Sequence, residues 1–207
     1  MKHFLAIVSA MFLTACGGDR PAEPAKTAPK HAPDTYQVAF ETSKGVFVVQ
    51  VIRDWAPRGA DRFYELVFMK FYDGARFYRV VPRFVVQFGL KGVPAADRHW
   101  STMYIPDDPV TQNNARGTLS FAMAGAATRT TQVFINLQDN FRLDTMGFAP
   151  FGEVVSGMDV VDQLFKGYGD APPSGAGPEQ SRIREEGNEY LERSFPRLDY
   201  IKTGTIQ

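Results

Sequence analysis

From residue 36 onward, the sequence consists mostly of short runs of β-branched and aromatic residues separated by Gly, Pro, Asn and Asp. Such runs predict strands, because these side chains fit a pleated and half-buried surface. Apolar residues at helical spacing predict helices over 57–71 and 156–165. The polar stretch 179–193 predicts a third helix, broken at Gly187. Many short strands with a helix near each end predict a mainly β fold. We expect a closed antiparallel β-barrel of about eight strands with two flanking helices, since closure leaves no exposed edges.

The predicted strands are bounded by turn residues, and the first two flank a hairpin turn at 42–45. Pro57 suits the first turn of the helix that follows this hairpin, and Gly74 ends that helix. His99 and Trp100 lie in a stretch with Pro and Gly, where we expect a loop. The predicted strands are Tyr36–Glu41, Val46–Ile52, Arg76–Val81, Phe84–Phe88, Thr118–Ala122, Gln132–Leu137, Ala149–Val154 and Leu198–Lys202.

The first 15 residues have the pattern of a bacterial signal peptide. A short basic start precedes an apolar run at 4–13, which is too short to span a bilayer. The sequence LTACG at 13–17 then resembles the lipobox, in which cleavage precedes the cysteine and its sulfur is acylated. Ordinary signal cleavage, which would leave Cys16 as a thiol, is the alternative. We expect a lipid-anchored protein of the bacterial cell envelope, on the periplasmic side of the outer membrane because Gly17 follows the cysteine.

A linker follows the cysteine. Residues 16–35 contain several prolines among Ala, Lys, Asp and Glu, and few residues that could fill a core. Such a stretch favours an extended polyproline II conformation, which would hold a folded domain away from the membrane. We expect the folded domain to span residues 36–207, with 167–207 as a C-terminal extension.

Composition excludes several classes of function. The 207 residues carry 23 Lys and Arg against 23 Asp and Glu, so the chain lacks the basic field that binding to nucleic acid requires. His99 is the one histidine of the expected domain, and Cys16 is the sole cysteine of the sequence. A thiolate zinc cage, an internal disulfide and a dithiol redox pair are therefore excluded. The length suits one domain with a single core.

Two polar side chains interrupt otherwise apolar predicted strands. Arg79 lies in the middle of one strand, and Gln87 lies in the next. A buried polar side chain needs hydrogen-bond partners or a ligand, so both residues are candidates for a binding site. The segment 119–125 is rich in small residues, which would let a ligand backbone approach the sheet. Gln132 and Phe134 point to one side of the strand that follows.

Motifs built on these residues resemble the cyclophilin-type peptidyl-prolyl isomerases. Four motifs occur in the order of that family: F-x-R-x-x-P-x-F-x-x-Q-x-G from Phe77, L-S-x-A-x-A-G from Leu119, T-Q-x-F-I-N from Thr131 and F-G-x-V-x-x-G-M-D-V-V-D from Phe151. The resemblance covers residues 36–165 and implies a cyclophilin barrel closed by the last strand. It also implies peptidyl-prolyl cis-trans isomerase activity, and the signal peptide makes exported proteins the expected substrates.

The resemblance makes Arg79 the catalytic residue, which would donate a hydrogen bond to the prolyl nitrogen as the amide twists. It implies no nucleophile, metal or cofactor, and proline-containing polypeptides are the expected partners of a monomeric enzyme. Phe141 stands near the position of a tryptophan in many relatives, and Phe148 near that of a pocket histidine. The implied substrate-binding residues are Phe84, Val85, Gln87, Ala122, Met123, Gln132, Phe134, Phe141, Leu143 and Phe148.

These residues also have ordinary structural interpretations. A strand arginine commonly extends to solvent, and Phe84, Phe134 and Phe148 would by default belong to a core. Two functions stay open besides the isomerase. One is a non-catalytic module or chaperone that binds proline-containing chains, and the other is a structural envelope lipoprotein with a decayed site. The set of matched positions around Arg79 favours the enzyme.

Overall fold

The computed structural model describes residues 27–207. The fold is mainly β, as predicted, with strands β1 (Thr35–Thr42), β2 (Val46–Ile52), β3 (Arg79–Val80), β4 (Val85–Phe88), β5 (Thr118–Phe121), β6 (Val133–Asn136), β7 (Pro150–Ser156) and β8 (Ile201–Ile206). They form one sheet in the order β3-β4-β6-β5-β7-β2-β1-β8. The paired strands are antiparallel, which confirms the expected antiparallel sheet of eight strands.

The helices flank the sheet. They are α1 (Pro57–Phe68), α2 (Pro94–Trp100), α3 (Met158–Asp162), α4 (Gln180–Glu186) and α5 (Asn188–Ser194), with short 3-10 helices at Arg53–Trp55 and Phe141–Met146. Gly187 separates α4 from α5 at φ +70°, a conformation that glycine adopts without strain. None of the helices in 27–207 has the length and apolar character needed to cross a membrane.

The two edges of the sheet meet. Arg76, shortly before β3, forms an isolated antiparallel bridge with Tyr200, which directly precedes β8. The Phe77 N–H donates a hydrogen bond of 2.9 Å to the Asp199 carbonyl. The predicted strand 76–81 is therefore split, because its first part pairs with the C-terminal segment and its second part pairs with β4. The sheet curls back toward itself around the core.

An aromatic core fills the curled sheet. β1 alternates exposed and buried residues, as a half-buried strand does, and its inward side chains meet those of β2 and one face of α1. The phenylalanine and tyrosine rings pack at centroid distances such as 5.2 Å between Phe40 and Phe47 and 4.9 Å between Phe63 and Phe151. This aromatic packing holds the strands of the sheet together, including β3 and β4, which carry Arg79 and Gln87.

The C-terminal extension has a small core of its own. This extension core consists of Tyr78, Leu90, Ile183, Tyr190, Leu191 and Leu198. Tyr78 belongs to the segment that leads into β3, so α4 and α5 pack against the strand that carries Arg79. The extension is therefore part of the support of that strand.

The predicted loop at His99 and Trp100 is wrong, since both residues lie in α2. Pro94 occupies the first turn of this helix, where its missing N–H costs no hydrogen bond. Trp100 is buried against Phe71, with ring centroids 5.7 Å apart. Pro94 thus begins a helix here, whereas the sequence pattern predicts a loop.

The expected signal peptide at 1–15, Cys16 and the first part of the linker lie outside the described residues. The end of the expected linker contacts the domain. The Ala32 N–H donates a hydrogen bond of 2.9 Å to Asp61 on α1, and Ala32 is buried. β1 begins at Thr35, so packing starts a few residues before the expected boundary at 36.

Candidate active site

A cavity of about 430 Å³ lies beside β3, β4 and β6, next to the 3-10 helix Phe141–Met146. It collects residues from segments that are far apart in the chain. Among the predicted site residues, those that line it are Arg79, Phe84, Val85, Gln87, Ala122, Met123, Phe134, Leu143 and Phe148.

The floor of the cavity is apolar. Val85, Phe134 and Leu143 are almost fully buried and form one hydrophobic cluster. The rings of Phe134 and Phe148 meet edge to face at a centroid distance of 5.6 Å. Antiparallel pairing of β4 with β6 sets Gln87 directly opposite Phe134, so a polar and an aromatic wall adjoin. The arrangement can hold an apolar ring beside hydrogen-bonding groups.

The polar wall centres on Arg79. Pairing of β3 with β4 sets Arg79 opposite Gln87, and the Arg79 Nη1 donates a hydrogen bond of 3.2 Å to the Gln87 Oε1. The Nε and Nη2 atoms donate bonds of 2.8 Å to the two carboxylate oxygens of Asp170. The guanidinium also lies 5.5 Å from the centre of the Phe84 ring, within cation–π range. Arg79 is therefore held on several sides.

The hydrogen bonds continue away from Arg79. The Gln87 Nε2 donates to the Gln132 Oε1 at 3.1 Å, and the Tyr78 hydroxyl donates to the same oxygen. Burial raises the pKa of the Tyr78 hydroxyl, so it stays protonated and acts as the donor. Because both partners of the Gln132 oxygen are donors, its amide is oriented, and so is that of Gln87.

Several site residues were not found from the sequence. Asp170, the carboxylate partner of Arg79, lies in the loop 163–179 between α3 and α4, which reads as a Gly/Pro-rich connection. The Arg79 guanidinium holds the pKa of Asp170 below its usual range, so the pair stays ionised near neutral pH. The cavity lining also includes Arg142, Met146 and Gln180, which no sequence motif singled out.

Two predicted site residues, Phe141 and Gln132, do not line this cavity. Phe141 is 51 % exposed and does not line the cavity, contrary to its predicted place in the pocket. The 3-10 turn directs Leu143 inward, and the Arg142 guanidinium lies over the Phe84 ring at 5.0 Å. Leu143, and not Phe141, is therefore the residue of this turn that reaches the cavity floor.

Gln132 lines a second, adjoining cavity of about 560 Å³. The two cavities share Gln87, Ala122, Met123 and Gln180 in their linings. Together they make a groove that joins the apolar floor at Phe134 to the polar side chains around Gln132.

The sequence of residues 37–184 matches the family model described as cyclophilin type peptidyl-prolyl cis-trans isomerase/CLD. This chain belongs to the cyclophilin-type peptidyl-prolyl cis-trans isomerases. The match includes the strands and the cavity that carry Arg79, Gln87 and Phe134. The predicted family is confirmed, and with it the class of enzyme.

Similar proteins named as peptidyl-prolyl cis-trans isomerases come from bacteria and eukaryotes. A peptidyl-prolyl cis-trans isomerase of Acinetobacter baylyi is 32% identical over 139 residues, which are 65% of this chain and 74% of the relative. Peptidyl-prolyl cis-trans isomerase A of Dickeya dadantii is 33% identical over 171 residues, or 77% of this chain and 81% of the relative. These similarities place the chain among enzymes named for the isomerisation of prolyl bonds.

Solved cyclophilin structures share the fold. A cyclophilin type isomerase of Cryptosporidium parvum superimposes with a TM-score of 0.63 at 19% identity, over 84% of this chain and 98% of that one. The same protein was also solved in the presence of the dipeptide Ala-Pro, and that structure gives a TM-score of 0.62. The curled antiparallel sheet with its flanking helices is thus the cyclophilin fold.

Proposed function

We propose that this cyclophilin catalyses the cis–trans isomerisation of X-Pro bonds in exported polypeptides, and that Arg79 stabilises the twisted amide. The observation that carries the proposal is the Arg79 guanidinium at the wall of a cavity whose floor is formed by Phe134 and Leu143. A charged donor beside an apolar pocket offers the two contacts that a prolyl amide needs in its transition state.

The reaction requires no bond to be made or broken by the enzyme. The barrier is about 18–20 kcal/mol because the amide nitrogen shares its lone pair with the carbonyl. As the bond twists, the lone pair returns to the nitrogen, which becomes a hydrogen-bond acceptor. A donor that meets this nitrogen stabilises the twisted amide more than the planar amide, and this difference lowers the barrier.

Arg79 retains donors for this purpose. A guanidinium has five N–H groups and carries its charge at physiological pH. Asp170 accepts one bond from Nε and one from Nη2, and Gln87 accepts one from Nη1. One N–H on each terminal nitrogen is therefore left to bind the substrate.

The apolar floor suits the proline ring. Phe134 and Phe148 present an edge-to-face pair, and Val85 and Leu143 complete the cluster below them. Ala122 adds little bulk at the rim, so the substrate backbone can approach the sheet. A cyclophilin of Cryptosporidium parvum with the same fold was solved in the presence of Ala-Pro, and a proline-containing segment is the ligand proposed for this cavity.

The exported context rests on the sequence before the domain. An apolar run at 4–13 followed by LTACG at 13–17 is the pattern of a bacterial lipoprotein. A domain anchored in this way would meet polypeptides that fold after export. Slow prolyl isomerisation, on a scale of about tens of seconds without help, limits their folding.

The assay that tests the proposal measures the isomerisation rate of a short X-Pro peptide with the purified protein, by exchange NMR or by coupling to a protease specific for the trans form. The expected result is a rate that rises in proportion to protein concentration. A non-catalytic binding module would bind the peptide and leave its exchange rate unchanged. A decayed structural lipoprotein would neither bind the peptide nor change the rate.

A further inference from the structure

The partner of Arg79 comes from the loop 163–179, about ninety residues away along the chain. The Arg79 Nε and Nη2 atoms each lie 2.8 Å from a separate oxygen of the Asp170 carboxylate. This bidentate geometry is the most directional contact that a guanidinium makes. The substrate-facing arginine is therefore oriented by a residue that lies outside the sheet.

The loop holds Asp170 in a built position. The Gly177 N–H donates a bond of 2.7 Å to the Asp170 carbonyl, and the Ala171 N–H donates one of 2.8 Å to the Asp170 Oδ1. A Cβ at Gly175 would overlap the Asp170 carbonyl oxygen, so the loop closes over this residue without room for a side chain. The backbone of Asp170 is thereby fixed before its side chain reaches Arg79.

Aromatic packing joins this loop to the helical part of the extension. Tyr168 packs edge to face against Phe195 at a centroid distance of 5.1 Å and against Phe165 at 4.9 Å. Phe195 and Tyr168 both pack on the extension core. The position of the Asp170 carboxylate is therefore tied to the helices α4 and α5.

The contact with Asp170 restricts the rotation of the Arg79 guanidinium. With Nε and one hydrogen of Nη2 bound to Asp170, the guanidinium plane cannot rotate about its long axis without losing both bonds. The Gln87 bond to Nη1 fixes the opposite side. The orientation of the two remaining N–H groups, one on each terminal nitrogen, is therefore fixed.

We propose that Asp170 is a positioning residue, which holds the Arg79 guanidinium in the orientation that meets the twisted prolyl nitrogen. The inference rests on the proposed role of Arg79 and makes turnover depend on the loop 163–179. The Arg79 and Asp170 side chains are 21% and 29% exposed, so solvent partly screens the attraction between their charges. The contribution of the pair lies in the orientation of the donor, which governs the transition state more than the bound ground state.

The experiment compares Asp170→Ala, Asp170→Asn and a control in the full chain, purified in detergent. Asp162→Asn is the control, because it removes the charge of an exposed ion pair with Arg116 at 2.7 Å, away from the cavity. Exchange NMR on an X-Pro peptide gives kcat and KM. We expect Asp170→Ala to lower kcat about tenfold with KM changed less than about twofold. Asp170→Asn keeps one acceptor oxygen, so its kcat should lie between those of Asp170→Ala and the wild type. The kcat of the control should equal that of the wild type.

Two further comparisons make the result decisive. In an Arg79→Ala background, Asp170→Ala should lower kcat no further, because the two residues act through one contact. A wild-type or higher kcat in Asp170→Ala, or an equal loss in the Arg79→Ala background, would overturn the positioning role. If Asp170→Ala keeps full turnover while Arg79→Ala loses it, this inference fails and the proposed function stands. Full turnover in Arg79→Ala itself would instead remove the mechanism on which both rest.

Discussion

At the scale of single residues, the site is a chain of polar side chains joined by hydrogen bonds. Asp170 accepts from Arg79, Arg79 donates to Gln87, and Gln87 and Tyr78 both donate to the Gln132 oxygen. Each bond removes a rotational choice from the next member, so the network orients the guanidinium as a unit. In the proposed mechanism the apolar floor beside it has a separate task, which is to hold the proline ring in both planar and twisted states.

Removal of one ring from that floor should weaken binding as well as turnover. In Phe134→Ala the pocket loses a side chain that is 5% exposed, so we expect peptide affinity to fall about tenfold or more. Titration of the variant with a labelled X-Pro peptide measures this loss, and circular dichroism confirms the fold. Phe141→Ala is the matched control, because Phe141 is exposed and outside the cavity. Equal affinities for the two variants would contradict the assignment of the ring pocket.

The network should work over a wide pH range. The Arg79 guanidinium lowers the pKa of Asp170, and burial raises the pKa of Tyr78. Since the Asp170 pKa is lower in the folded than in the unfolded state, its pair stabilises the fold above about pH 4 and is lost as the pH falls through the lowered pKa.

We therefore expect kcat/KM to be constant from about pH 5 to about pH 9. Exchange NMR on the peptide is the appropriate measurement, since it needs no coupling protease with a pH profile of its own. A step in kcat/KM near about pH 6.5 would instead show that a histidine-like group takes part in turnover.

At the scale of elements, the extension supports the strand that carries Arg79. Tyr78 precedes Arg79 in the chain, and its ring packs with Leu90 and with Ile183 of α4. Its hydroxyl meets Gln132, so one residue joins the extension core to the polar network. The helices α4 and α5 are accordingly part of the folded unit that forms the site.

Ile183→Ala tests this dependence. Ile183 is fully buried, and its truncation should lower the free energy of unfolding by about 2–5 kcal/mol. Chemical denaturation of the variant measures the change. Glu185→Ala on the exposed face of the same helix should leave the midpoint close to that of the wild type. An unchanged midpoint in Ile183→Ala would mean that the extension unfolds independently of the sheet.

The sequence predicted the sheet and the residues on it, because strand periodicity and local motifs determine both. Arg79, Gln87 and Phe134 meet across adjacent strands whose register follows from that periodicity. Asp170 could not be predicted, since no local pattern says where a Gly/Pro-rich loop will bring a carboxylate. The exposure of Phe141 could not be predicted for a related reason, because the short 3-10 helix decides which neighbouring residue faces inward.

At the scale of the whole molecule, the domain continues into the expected linker. Asp61 on α1 accepts hydrogen bonds from the Ala32 N–H at 2.9 Å and from the Arg53 Nε at 2.8 Å. These residues do not line the cavity that contains Arg79. The N-terminal end of the described domain and the proposed active site therefore use different residues, so the expected anchor before residue 27 is compatible with access of a polypeptide to the site.

Lipidation at Cys16 is a prediction from the sequence. The protein should fractionate with membranes and incorporate a fatty-acid analogue, because its cysteine occupies the acylation position of a lipobox. Cys16→Ser should abolish labelling and either block maturation or release the domain into the soluble fraction. A wild-type protein that takes up no label would favour ordinary signal cleavage instead.

The central claim is that Arg79 stabilises the twisted amide, and the turnover of Arg79→Ala tests it most directly. By analogy with the loss of one donor from an oxyanion hole, we expect kcat to fall about a hundredfold or more, or about 3 kcal/mol, with peptide affinity much less affected. Arg79→Lys should recover part of the rate, because an ammonium lacks the fork geometry of a guanidinium. A folded Arg79→Ala protein that isomerises the peptide at a near wild-type rate would contradict the account.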